Sequence, residues 1–233
     1  MKRIALGAAI LASSMAFIDG SALTVALPAL RDDLGGDVGA VQWVLNGYML
    51  ALAALTMVGG ALADAYGRAR MLRLGCAAFA LASIACALAP GAGSLVAARV
   101  LQGVAAALVT PASLALIGET FPKTERSRAI GAWAAASALT TAGGPVLGGW
   151  LTETFSWRAV FWINAPIAAL AIALLSRLPA GAPTKKGRFD VAGAALLAAA
   201  LAFLALALTQ VGGGGEAGEV ARADFAGAFG PGF

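Results

Sequence analysis

The stretch "AFIDGSALTVALPAL" (residues 16–30) decides how the chain is read. It sets one carboxylate, Asp19, inside a run that is otherwise apolar or small from Ile4 to Leu27. A helix needs about 20 such residues to cross about 30 Å of hydrocarbon, and this run is long enough. A signal peptide is the competing reading. The run is too long for that, carries an acid, and has no small-residue cleavage site before a polar mature start. Working outward, six more apolar runs follow at residues 41–63, 72–89, 94–118, 129–151, 160–178 and 191–211. They are rich in Ala, Leu, Val and Gly with little amphipathic period, as helices surrounded by lipid or by each other should be. No ten-residue apolar/polar alternation suggests barrel strands.

Composition points the same way. Hydrophobic residues make up 60% of the chain and charged residues 12%, with a mean hydropathy of +0.85. Soluble domains are about a quarter charged. The chain contains no His, which removes the commonest general base and metal ligand. It also lacks a phosphate-binding Gly-rich loop, a metal-ligand cluster and a nucleophile motif, so neither an enzyme nor a cofactor is expected. Cys76 and Cys86 share one apolar run and read as small apolar residues rather than a disulfide.

The formal charge of +4 and pI near 9.5 would suit nucleic acid, but the placement of the charges gives another account. If the runs cross alternately, one side receives Lys2 and Arg3; Arg68, Arg70 and Arg73; Lys123, Arg126 and Arg128; and Arg177, Lys185, Lys186 and Arg188. The other side receives Arg31, Arg158 and Arg222, while Arg99 lies within the fourth run. The positive-inside rule then predicts a multi-pass protein of the plasma (inner) membrane with a cytoplasmic N-terminus, and no nucleic-acid partner. Trp43, Trp157 and Trp162 fall near run ends, where interfacial anchoring is expected.

Two segments repeat. "GGALADAYGRAR" (residues 59–70) and "GGWLTETFSWRA" (residues 148–159) both read Gly-Gly-x-Leu-x-acid-x-aromatic with a basic residue soon after, and Trp43 and Trp133 stand near the starts of their runs. The second and fifth runs are three apart and so point in opposite directions, the pattern of a three-plus-three inverted repeat.

An unpaired acid at mid-membrane costs a few kcal/mol, so Asp19 needs a cavity or a partner. At 1.5 Å per residue it lies roughly 22 Å from the inner side, and Arg99 roughly 8 Å from the outer side, with Gln102 one turn deeper. These depths agree, and Asp19, Arg99 and Gln102 are expected to meet in the outer half of one cavity. There Asp19 would bind a proton or a cationic substrate; a static ion pair that fixes helix packing is the plainer alternative.

These residues carry a resemblance. "IDGSALTVALP", "GALADAYGRARML", "RVLQGVAAA", "GGPVLGGWL", "WRAVFWINAPIA" and "GRFDVAGAALL" resemble motifs of the major facilitator superfamily, and within it of the fourteen-span drug:proton antiporters. The resemblance implies an all-α integral membrane fold: a six-helix N-terminal bundle (residues 1–180), then a cytoplasmic linker and seventh transmembrane helix (181–211). It implies export of small lipophilic or cationic compounds, with a proton gradient as the energy source and no cofactor. Asp19, Arg99, Gln102 and Thr24 would bind proton and substrate, Thr24 replacing the Asn that the subgroup usually has. Gly60, Asp64, Gly67, Arg68 and Arg70 would form a cytoplasmic gating loop, with Arg68 and Arg70 facing anionic headgroups. Gly144, Pro145, Gly148 and Gly149 match the antiporter motif of the fifth span, which would seal the cavity against proton leak. Glu125 and Arg126 are expected to pair locally. Residues 212–233, Gly-rich and of low complexity, are expected to be disordered. The family's second six-span half is not recognisable, so a truncated chain is expected, working beside a second half or as a homodimer. A non-transporting remnant or assembly partner is the alternative.

Overall fold

Glycine and proline set the ends of the helices. The computed structural model describes residues 1–35, 38–179 and the isolated helical positions 193, 196, 199 and 200. Among the described residues there are helices and no strands: α1 (Lys2–Leu34), α2 (Val38–Tyr66), α3 (Arg68–Ala87), α4 (Ala92–Thr120), α5 (Lys123–Thr154), α6 (Ala159–Trp162) and α7 (Asn164–Leu175). α1 stops at Gly35, whose φ of 58° is the left-handed cap that glycine accepts without strain. α2 and α3 are joined by Gly67 alone, at φ 95°, where a side chain would be strained. Pro122 ends α4 and caps α5.

α1 to α4 are long and apolar enough to cross a membrane. α5 is as long, at 32 residues, but richer in Gly, Ser and Thr. The sixth run is helical from Ala159 to Leu175, and Ile163 keeps helical angles (φ −62°, ψ −24°); only its hydrogen-bond ladder is interrupted there, dividing α6 from α7, and Pro166 in the next turn cannot donate to the Trp162 carbonyl. The linker, most of the seventh run and the Gly-rich tail lie outside the described residues. Ala199 of that run lines a groove with Trp43, Gly47, Ala51 and Val100.

The packing follows the repeat. α2 lies along α4 and α5 along α1, while α3 meets α4 and α7 meets α1. Exchanging α1 with α4, α2 with α5, and α3 with the α6–α7 pair leaves this pattern unchanged. The two principal contacts are built alike. A Cβ on Gly59 would overlap the Ala107 carbonyl of α4, and one on Gly148 would overlap the Ala22 carbonyl of α1. Small residues let backbones approach this closely, which is how helices associate where lipid offers no hydrophobic drive.

Two apolar clusters fill the bundle. One gathers Met15, Tyr48, Leu72, Phe79 and Val109; the other gathers Leu23, Leu30, Val44, Leu95 and Phe161. Asp19 falls between them along α1. Trp157 belongs to the second cluster rather than to a lipid interface. It is buried, its Nε1 donates to Asp33 Oδ2 at 3.0 Å, and the Arg158 guanidinium lies 4.2 Å over its ring. Trp43 and Trp162 are exposed along the outside of the bundle.

Candidate functional site

Three helices bring polar side chains to one point in the apolar core. Asp19 (α1), Arg99 and Gln102 (α4) and Asn164 (α7) are each 0% exposed. Arg99 Nη1 donates to Asp19 Oδ2 at 2.5 Å and to Gln102 Oε1 at 2.7 Å. Gln102 Nε2 and Asn164 Nδ2 both donate to Asp19 Oδ1 at 2.8 Å. Arg99 is held further by Nε donating to the Val44 carbonyl at 3.1 Å, and its guanidinium stands 4.2 Å over the Tyr48 ring. Asn164 Nδ2 also donates to Ser83 Oγ, which donates to the Phe161 carbonyl, each at 2.8 Å. Cys86 Sγ reaches Gln102 Oε1 at 3.5 Å. The Asp19 carboxylate thus accepts three donors, one of them cationic, as a buried ionised acid requires.

The structure brings Asp19, Arg99 and Gln102 together, but in a closed core and not in a cavity. A cleft of about 300 Å³ lies beside α1. Ala16, Phe17, Gly20, Ser21, Tyr48 and Thr141 line part of it. Thr24 is not part of the cluster: it is exposed and its hydroxyl donates to the Ser21 carbonyl. Asn164, Ser83 and Tyr48 complete the site and were not singled out from the sequence. The only signal was an amide, "INAP", inside an apolar run.

A second polar group closes the end at which α2 meets α3. Arg68 does not face outward. Nη2 and Nε donate to Asp64 Oδ1 at 3.1 and 3.3 Å, Nη1 donates to the Ala115 carbonyl of α4 at 3.1 Å, and Glu119 stands 3.7 Å away. Burial behind α4 explains the turn inward; Arg70 remains exposed. Glu125 pairs with Lys2 of α1 at 2.8 Å rather than with Arg126, which reaches the Phe121 carbonyl. At the opposite end Arg158 joins Asp33 of α1 at 2.6 Å and the Ala89 carbonyl beyond α3 at 3.4 Å.

Of the fifth-helix motif, Gly148 packs on Ala22 and Gly144 on Ser21, whereas Gly149 makes only an ordinary contact with Val25. Pro145 lies inside α5, half-buried. In the second helix it is Gly59, not Gly60, that makes the close backbone contact; Gly60 meets Pro111 at 3.6 Å.

The sequence profile of the Major Facilitator Superfamily matches residues 9–215. The chain belongs to this superfamily. It is 42% identical over 211 residues to the "Probable actinorhodin transporter" of Streptomyces coelicolor, covering 88% of this chain and 36% of that protein. It is 39% identical to the "Tetracenomycin C resistance and export protein" of Streptomyces glaucescens, covering 80% and 35%. The "Methylenomycin A resistance protein" of Bacillus subtilis is 38% identical, with 84% and 42% covered. The chain thus spans well under half the length of these curated relatives. Among solved structures, the peptide transporter POT in complex with sulfate superposes with a TM-score of 0.69 at 17% identity, over 89% of this chain and 45% of that one. That likeness concerns the fold. Family and apolar helices together make this a multi-pass membrane protein, with the lipid bilayer as its surroundings.

Proposed function

We propose that the chain forms one half of a proton-coupled exporter of small lipophilic or cationic compounds, with Asp19 as its proton site. The observation that carries this reading is the closed Asp19–Arg99–Gln102–Asn164 cluster. Ionisable groups at membrane depth mark proton or substrate pathways by default, and relatives named for antibiotic transport, resistance and export align with 80–88% of this chain at 38–42% identity. The cleft beside Phe17, Ser21, Tyr48 and Thr141 is the wall of this half that would face a substrate. Secondary transporters of this kind bind between repeats at mid-membrane and rock around the site. The second half would come from further sequence, another chain or another copy. Residues 1–180 form the bundle in this reading, and 181–211 a linker and seventh crossing. Arg68, Asp64 and Gly67 hold the cytoplasmic end with Gly60 and Arg70 beside them, and Gly144, Pro145, Gly148 and Gly149 seal α5 against α1. The N-terminus is cytoplasmic.

The test supplies this chain with the remaining spans of a full-length relative and follows a cationic dye in vesicles under an imposed pH gradient. Asp19→Asn should insert normally and lose gradient-driven dye movement. Movement that stays gradient-driven in that variant removes Asp19 as the proton site. Failure of every pairing to move dye favours a non-transporting assembly role.

A further inference from the structure

Asn164 differs from the other partners of Asp19 in what holds its amide. Gln102 is fixed in orientation, because its Oε1 accepts from Arg99 Nη1 and from Cys86. Asn164 spends both hydrogens of Nδ2, on Asp19 Oδ1 and Ser83 Oγ, while its Oδ1 is buried and has no hydrogen-bond partner. An acceptor left without a protein partner in a buried site is costly and calls for an explanation. Ser83 Oγ can accept from Asn164 because its own hydrogen is given to the Phe161 carbonyl, two residues before the interruption at Ile163.

We propose that Asn164 reads the protonation state of Asp19 and passes it to the α6–α7 junction. This rests on the reading of Asp19 as a proton site. With Asp19 ionised, every donor points at the carboxylate, as observed. When a proton from solution bonds to Oδ1, that oxygen becomes a donor and repels Nδ2. Turning the Asn164 amide over puts its free Oδ1 in the same place. Oδ1 then accepts the Asp19 hydroxyl, and the Ser83 hydroxyl swings from the Phe161 carbonyl to donate to Oδ1 as well. The Phe161 carbonyl is released at a point where Pro166 has already weakened the helix. Only hydrogen bonds exchange, and the proton stays on Asp19 until it leaves to solution.

The other charged or titratable groups facing Asp19 are Arg99 from α4, Tyr48 from α2 and Cys86 from α3. α5 carries its charges only near its ends, at Lys123, Glu125, Arg126, Arg128 and Glu153, and α6 and α7 carry none. None of the three hydrogen-bonds to Ser83 or to the Phe161 carbonyl; Arg99 meets Phe161 only at its ring, 5.8 Å from the centroid, and the hydrogen-bonded path to that carbonyl runs through Asn164.

The full chain in lipid nanodiscs suffices for the test. Infrared spectra across pH follow the carboxylic-acid band of Asp19, identified by its loss in Asp19→Asn. Hydrogen exchange follows the backbone amides of residues 161–165. In the unaltered chain exchange should rise about fivefold as the band appears, the worth of one buried hydrogen bond. Asp19→Asn should exchange fast at every pH, its amide standing in for the neutral acid. Asn164→Leu should titrate at Asp19 without any pH-dependent change at the junction. Ser83→Ala, a milder change that spares both Asp19 and Asn164, should do the same. A purely structural role would raise exchange equally at all pH values. Persistence of the pH step in Asn164→Leu or Ser83→Ala, or a titrating band with no step in the unaltered chain, overturns the relay and leaves the proton site standing. Absence of any titrating Asp19 band overturns both.

Discussion

Truncating Arg99 would strand the Asp19 carboxylate among apolar side chains with only two amides beside it. Breaking a buried pair this way costs about 3–5 kcal/mol, because the surviving charge has nowhere to go. Arg99→Met should therefore lower the unfolding midpoint in detergent sharply, and adding Asp19→Asn should restore most of the loss; equal midpoints for single and double variants would refute the coupling. Arg99→Lys should not rescue, since an ammonium cannot reach Asp19, Gln102 and the Val44 carbonyl at once while stacking on Tyr48. At this scale the sequence was informative wherever depth decided. Counting rises along two antiparallel helices was enough to pair Asp19 with Arg99 and Gln102. It failed where the face decided: Thr24 is five residues beyond Asp19, about 140° around the helix, and so points away. Asn164 was missed because a neutral amide in an apolar run carries no charge for which a partner must be sought at the same depth.

At the scale of the helix, close backbone contacts carry the packing. Gly148→Ala should destabilise by about 1–3 kcal/mol, the cost of overpacking, since its Cβ would meet the Ala22 carbonyl, Cα and Cβ, none of which can swing aside. Gly149→Ala should be nearly neutral. The same contrast should separate Gly59→Ala from Gly60→Ala, and thermal unfolding of the four variants checks all of it. A Gly59→Ala chain as stable as Gly60→Ala would mean α2 and α4 are not held backbone to backbone. The paired "GG" was legible as a repeat, but which glycine of each pair faces inward is a matter of helical phase, and phase is blurred where both neighbours are small. The extent of the sixth run was legible too; the interruption of its hydrogen-bond ladder at Ile163 was not, because hydropathy is indifferent to backbone hydrogen bonding.

For the whole molecule, the connections rich in Lys and Arg gather at one end. Lys2 meets Glu125 there and Arg68 reaches Glu119, while Asp33, Ala89 and Arg158 close the other. If the basic end is cytoplasmic, an impermeant maleimide applied to intact cells should label Ser94→Cys, exposed at the opposite end, and should label Lys123→Cys only after permeabilisation. Cys76 and Cys86 are buried and should stay silent in both. The reverse pattern would invert the orientation. The membrane class and inverted repeat could be read from composition, charge alternation and two short matching segments. That Arg68 turns inward could not, since its acceptor is a backbone carbonyl on another helix.

Where Gly59 meets Ala107 and Gly148 meets Ala22, no side chains stand between the two main chains to serve as teeth or rollers. Each pair, α2 with α4 and α5 with α1, is in effect a double stave glued along its length. A bilayer made thinner or thicker would lean such staves over together instead of sliding one past the other, so lipid chain length should alter the tilt of the bundle while leaving its seams intact.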